Sequence, residues 1–386
     1  MTSVLPAERP EGARAVYGPI VYQLAPQGNT ADGMGENFMR VIGYTVPAED
    51  DGRQIKYVLL SRLLISHRQL SRLKACDGMR VNGAGVHANY TVHEGDELEL
   101  WLEADAQPER DAAARDAALD SIAAQDECRV PSAALSMEVC AALDERCGGE
   151  IAGLSPSGTA RTQRELAQEI VVYEDEDMLV INKPAPLPTG ASARQGGLTL
   201  ESVMYARYGG EAGWQFRPVN RLDKGTSGLM AAARTAHAHF ALQRQLHTPA
   251  FTREYRALTV GAPEPLAGTV DLPIGREPDS LVKRRVAPDG RPCRTHYETL
   301  WRGGDTALLR LRLETGRTHQ IRVHMAALGC PVLGDFLYGC EDERLPGRFA
   351  LHSHVLACVQ PVTGARLEFA SAVPRELSRL APGAQW

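Results

Sequence analysis

From Ile170 onward the sequence breaks into short apolar stretches separated by turns, and this restricts it to a sheet-based fold with few parallel crossovers. Ile170-Val171-Val172-Tyr173, the acidic turn Glu174-Asp175-Glu176-Asp177 and Met178-Leu179-Val180-Ile181-Asn182 read as strand, turn and strand. Lys183-Pro184-Ala185-Pro186-Leu187-Pro188 then closes the pair with a rigid loop. Phe251 to Val260 and Ala307 to Leu313 alternate as strands. Thr318 to Leu328 has helical spacing, with Thr318 as its expected N-cap and Gly329 as its stop. Strand–helix–strand units are few, so the expected class for residues 169–386 is α+β, built on a mixed, mainly antiparallel sheet.

A chain of 386 residues, 44% apolar and 23% charged, can bury one large core or two modest ones. The start, Met1 to Pro6, has no basic segment followed by an apolar run. Nowhere do 18 apolar residues run without interruption. A cytoplasmic location and no membrane partner are therefore expected. The eight cysteines are scattered without a Cys-x-x-Cys pair, and they read as reduced and structural.

The net charge of −6 conceals regions that disagree. From Arg53 to Arg80 seven basic residues face one acid, Asp77, a balance of +6. From Glu94 to Glu127 twelve acids face two arginines, a balance of −10. Residues 166–386 carry 26 basic and 23 acidic side chains, or +3, with a dense run at Lys283, Arg284, Arg285, Arg291 and Arg294. Two basic patches are thus available for a phosphate backbone, against the plainer reading of solvated charged surface.

Residues 1–55 form an N-terminal extension with no sustained period, in which Ala15-Val16-Tyr17 and Ile20-Val21-Tyr22 could be short strands. Residues 56–103 read as a compact α/β module. Tyr57 to Leu64 and Ser66 to Lys74 have helical spacing, Asn82-Gly83 marks a hairpin turn, and Gly95 to Leu100 gives a closing strand. This order of elements resembles the S-four-like RNA-binding module. The resemblance implies that the second helix faces RNA, with Arg68, Arg72 and Lys74 at the phosphates. Residues 104–168 read as a helical insertion and linker, with helices expected over Pro108 to Glu127 and Pro131 to Cys147.

The segment that carries chemistry is Arg217-Pro218-Val219-Asn220-Arg221-Leu222-Asp223-Lys224-Gly225-Thr226-Ser227-Gly228-Leu229-Met230. It sets one carboxylate between two cations in a turn of small residues, followed by an apolar run that anchors the turn to a sheet. Taken alone, such an Asp is more often a turn residue than a nucleophile. Further stretches, in order, alter that balance. They are Tyr173 to Pro184, Arg253-Glu254-Tyr255-Arg256-Ala257-Leu258, Leu313 to Met325, Gly334-Asp335 with Tyr338-Gly339, and Leu351 to Leu356.

Together they resemble the RluA family of RNA pseudouridine synthases over roughly residues 170–375. The resemblance implies an isomerase in which Asp223 is the catalytic carboxylate, which attacks the target nucleotide as its glycosidic bond breaks. Arg322 would pair with Asp223 and keep it ionised. Tyr255 would stack on the uracil and could take part in proton removal. Arg221 would fill the gap left by the extruded nucleotide, and Ile321 or Val323, with Leu351, would wall the pocket. Lys283, Arg284 and Arg285 would meet the RNA backbone. One position departs from the family pattern: Asn220 stands where the family commonly has His, and Asn cannot be protonated.

No cofactor and no metal are expected. His319 and His324 lie five apart, which is neither i, i+3 nor i, i+4, and no acidic third ligand stands beside them or beside His352 and His354. RNA is the expected partner, ribosomal RNA of the large subunit being favoured over transfer RNA, and the protein is expected to be a monomer. Two rivals remain open. One is a non-catalytic RNA-binding ribosome-assembly factor, disfavoured by the joint presence of Asp223, Tyr255 and Arg322. The other is a glycoside hydrolase, which would need a second flanking carboxylate.

Overall fold

The computed structural model describes residues 3–4, 20–24, 39–103, 162–190, 198–211 and 214–386. The two helices expected within 104–168 and the strand expected at Ala15 to Tyr17 lie outside the described residues. Among the described residues, no helix is long and apolar enough to cross a membrane.

The larger part is the expected α+β architecture. Its sheet runs, in spatial order, Ala267–Asp271, Arg294–Gly303, Thr306–Leu313, Thr252–Val260, Leu351–Val359, Ser227–Ala233, Met178–Lys183 and Val171–Glu174. Ser227–Ala233 is buried along its whole length and alternates between two cores. Met230 and Ala232 join Leu179 and Ile181 in one, while Leu229, Ala231 and Ala233 join Met178 and Val180 in the other. A period of two with both faces apolar is what a central strand requires. Helices Gln163–Ile170, Leu200–Tyr208 and Gln320–Ala327 contribute to the first core, and Ala236–Gln245 to the second.

Among the described strands only one pairing is parallel, that of Ser227–Ala233 with Leu351–Val359 through Ser227↔His352 and Gly228↔Ser353. Gly228 has φ +107°, and a Cβ there would sit 2.2 Å from the Ser353 carbonyl oxygen. Only glycine therefore lets the strand that follows Asp223 enter the sheet at this point.

The front module has a second, antiparallel sheet in the order Ile20–Leu24, Met39–Thr45, Glu97–Glu103, Met79–Val81 and Ala84–Gly85. Helices Ile55–Ser61 and His67–Ala75 add Val58, Leu59, Leu70 and Leu73 to its core. Ser66 caps the second helix in a reciprocal pair with Gln69, and Asn82 and Gly83 both have positive φ, as the expected hairpin turn demands. The stretch before residue 56, expected as an extension, carries paired strands. Met39–Thr45 pairs along its length with Glu97–Glu103, and Ser3–Val4 pairs with Arg366–Ala370. Stretches assigned to an extension thus supply strands to both sheets.

The basic stretch of this module is also less free than its charge count implies. Asp50, buried, takes Nη1 of Arg53 at 2.7 Å and Nε of Arg62 at 2.8 Å, and Glu49 takes Nη2 of Arg62 at 2.9 Å. Three acids, Glu49, Asp50 and Asp51, stand just before this basic stretch. Helix geometry separates the three expected RNA contacts as well. At about 100° per residue, Lys74 lies on a different side of the helix from Arg68 and Arg72.

Candidate active site

Asp223 stands in a loop fixed at both ends. On the entry side, Val219 donates its N–H to the Ala231 carbonyl, and the Asn220 side-chain oxygen accepts the Ala231 N–H at 2.9 Å. Next to the acid, Thr189 Oγ1 donates to the Leu222 carbonyl, and Thr226 N–H closes a turn on the Asp223 carbonyl. On the exit side, Leu187 N–H and the Lys183 ammonium reach the Lys224 carbonyl. Buried Leu222 anchors the turn to the first core. The Asp223 side chain remains 27% exposed.

The open side of Asp223 faces a cleft of about 650 Å3, a volume suited to one extruded nucleotide. Arg221, Tyr255, Ile321, Arg322 and Leu351 line it with Asp223. Val323 does not. It lies two positions from Ile321 on the same helix, about 200° around, and packs with Ile274 and Cys293 instead. Five cations, Arg221, Lys224, Arg253, Arg317 and Arg322, share the lining with the carboxylates of Asp223 and Glu201, an excess that favours a phosphorylated ligand.

Arg322 is held from below. Asp335, fully buried, accepts Nε and Nη2 at 2.7 Å each, and the Phe349 ring lies 4.2 Å from Cζ. Nη1 reaches Asp223 Oδ2 at 3.4 Å. Burial works against the guanidinium charge, but the Asp335 bonds and the fields of Asp335 and Asp223 outweigh it and raise the Arg322 pKa. Arg322 thus touches Asp223, with Asp335 as its main partner. Asp335 was visible in the sequence only as the acid of Gly334-Asp335.

Tyr255 is buried on the Thr252–Val260 strand, and burial raises its phenol pKa. The hydroxyl stays protonated at neutral pH. Its ring and hydroxyl line the cleft beside Asp223. The helix begins at Gln320, one residue later than an N-cap at Thr318 would set. His319 is its N-cap, in the left-handed region at φ 59°, with no side-chain cap bond.

Two other histidines considered as ligands are engaged elsewhere. His324 is bonded to Thr295 Oγ1 and the Leu272 carbonyl, and buried His352 to Ser227 Oγ. Among the described residues no group of three His, Cys, Asp or Glu side chains could hold a metal. The basic run lies outside the cleft: Lys283 precedes and Arg284 and Arg285 begin the strand Arg284–Val286, which pairs with Ile274–Arg276. Arg68, Arg72 and Lys74 belong to the front module, where Arg68 and Lys74 are exposed and Arg72 half-buried.

The family model for RNA pseudouridylate synthase matches residues 177–327. The chain is 40% identical over 217 residues to the RNA pseudouridine synthase YjbO of Bacillus subtilis, covering 55% of this chain and 75% of that protein. It is 40% identical over 233 residues to ribosomal large subunit pseudouridine synthase D of Vibrio cholerae, covering 56% and 71%. Among solved structures, human RNA pseudouridylate synthase domain containing 4 is 26% identical, over 56% of this chain and 94% of that one, with a TM-score of 0.45.

Proposed function

The chain belongs to the RNA pseudouridine synthases, and from that premise we propose that Asp223 is its nucleophile and that its target is a uridine of large-subunit ribosomal RNA. In the proposed cycle the RNA delivers one nucleotide into the cleft, and Arg221 takes the space it leaves. An oxygen of Asp223 bonds to the sugar C1′ as the N1–C1′ bond breaks, the bonding pair leaving on N1. The freed uracil turns beside Tyr255. Its C5 then attacks C1′ and displaces the carboxylate, the C5 proton departs and N1 gains a proton. Product and substrate are isomers and Asp223 is restored, so the balance needs no co-reactant.

The observation that carries this reading is the placement of Asp223: a part-exposed carboxylate on a loop fixed at both ends, with a buried, clamped arginine 3.4 Å away. Such preorganisation serves a nucleophile and is superfluous for a turn residue. Ribosomal RNA is favoured over transfer RNA by the similarity to the large-subunit synthase of Vibrio cholerae. The test is to map pseudouridines in ribosomal and transfer RNA from cells with and without the protein. The reading expects sites missing from large-subunit RNA. Losses confined to transfer RNA would move the target, and no loss in either would overturn the assignment.

A further inference from the structure

His319 combines three features that the reaction as outlined does not use. It lines the cleft with Asp223, its backbone is held in the left-handed region, and one of its ring nitrogens is already committed. A non-glycine residue held at positive φ carries strain that the surrounding structure must sustain. Here the turn is held by the Gln320 side chain, which accepts the Arg317 N–H and donates to the Arg294 carbonyl and Thr295 Oγ1.

Nδ1 of His319 lies 2.8 Å from the Tyr338 hydroxyl, the two rings meeting edge to face. That hydroxyl also accepts the backbone N–H of Arg284 at 2.8 Å. A phenol has one proton to give, and the acceptor within reach is Nδ1 of His319. Burial lowers the His319 pKa and raises that of Tyr338, so the imidazole is neutral and the phenol protonated. The neutral tautomer then carries its proton on Nε2, which has no partner among the described residues.

We propose that His319 is a base-recognition residue whose Nε2–H donates to a uracil carbonyl, and that Tyr338 is the positioning residue that fixes its tautomer. This rests on the function proposed above. A neutral donor fits a carbonyl better than a phosphate, for which cations of the same lining such as Lys224, Arg253 and Arg317 are better suited. Uracil also has a useful symmetry. A half-turn about the axis through N3 and C6 exchanges N1 with C5, the change the reaction requires, and at the same time exchanges O2 with O4. One fixed donor therefore finds a carbonyl oxygen before and after the turn. Cytosine, with an amino group at C4, would present a donor to a donor in one of the two orientations.

The test uses the intact chain and RNA labelled with [5-3H]uridine, from cells lacking the protein, the tritium released reporting loss of the C5 proton. His319→Leu should slow single turnover about tenfold or more (~1.4 kcal/mol) with RNA affinity within about twofold of the parent, and His319→Gln, which restores an N–H donor, should recover most of that loss. Tyr338→Phe should shift the 15N signature of His319 away from the Nε2–H tautomer. With the unaltered protein, transcripts of the mapped site carrying 2-thiouridine or 4-thiouridine at the target should both react slowly, because each weakens the acceptor in one orientation. Equal rates for His319→Leu and parent, or a loss of affinity with unchanged turnover, would overturn the proposal. So would thio-substituted RNAs that react like the normal one. If the parent releases no tritium, the proposed function fails first.

Discussion

Arg322 grips Asp335 through two 2.7 Å hydrogen bonds and offers Asp223 only its remaining nitrogen, at 3.4 Å. The two aspartates thereby divide the work. The fully buried one fixes the cation, and the part-exposed one stays open to the cleft.

That division locates the charge that would be stranded if the arginine were lost. Arg322→Met should cost about 3–5 kcal/mol of stability, because the Asp335 carboxylate would remain buried without a counter-charge. Adding Asp335→Asn should recover more than half of the loss, and adding Asp223→Asn should recover little. Urea denaturation of the two double variants decides the matter. Equal rescue by both would contradict the assignment of Asp335 as the buried partner.

Lys183 gives a pH prediction. Its fully buried ammonium donates to the carbonyls of Pro184 at 2.9 Å, Leu187 at 2.8 Å and Lys224 at 3.4 Å, an arrangement that suits the charged form. Burial opposes that charge, with Arg348 adding to it and Asp223 countering, and pulls the pKa down to about 7. The unfolded lysine keeps its proton up to about pH 10.4. Between these values the unfolded chain binds a proton that the folded chain has released. Stability from this group is therefore present above the unfolded pKa and is lost as pH falls to about 7, with a slope of up to about 1.4 kcal/mol per unit. The stability of the parent relative to Lys183→Met should rise from pH 7 to 10. A flat or falling difference would contradict the shift.

In the front module, the roles of two arginines should separate. Arg62 holds buried Asp50, so Arg62→Ala should lower stability by about 1–3 kcal/mol and leave the salt dependence of RNA binding nearly unchanged. Arg68 is exposed, so Arg68→Ala should leave the melting temperature in place and reduce the salt slope by up to about 0.9, the value of one phosphate contact. An unchanged slope in Arg68→Ala would remove that helix from RNA contact.

A nucleophilic carboxylate and a proton exchange that balances within the substrate require no metal. Dialysis against a chelator should leave full activity on RNA that is refolded beforehand. Loss restored by catalytic amounts of a divalent ion would contradict this.

What could be read from the sequence was mostly local. The Asn-Gly hairpin, the helical spacing from Ser66 to Lys74, the apolar run after Asp223 and the stop at Gly329 all depend on residues within a few positions of each other. Misreadings arose where geometry or distance intervenes. Ile321 and Val323 were offered as alternative walls of one pocket, although two positions on a helix face opposite ways. The Asp335 clamp joins a helix to a loop 13 residues on, and nothing in the sequence shows that this acid is fully buried. Strand Met39–Thr45 was missed because its partner, Glu97–Glu103, lies more than fifty residues away. For His319 the sequence offers only its spacing from His324, whereas its interest lies in a backbone conformation that sequence does not reveal.

The central claim is tested most directly by single turnover of Asp223→Asn on RNA from cells lacking the protein. Asn keeps the volume and most hydrogen bonding of the side chain and removes the charge that would attack C1′, so binding and melting temperature should change little. The account predicts no measurable pseudouridine. Turnover above about a hundredth of the parent rate, a loss smaller than ~2.7 kcal/mol, would contradict Asp223 as the nucleophile.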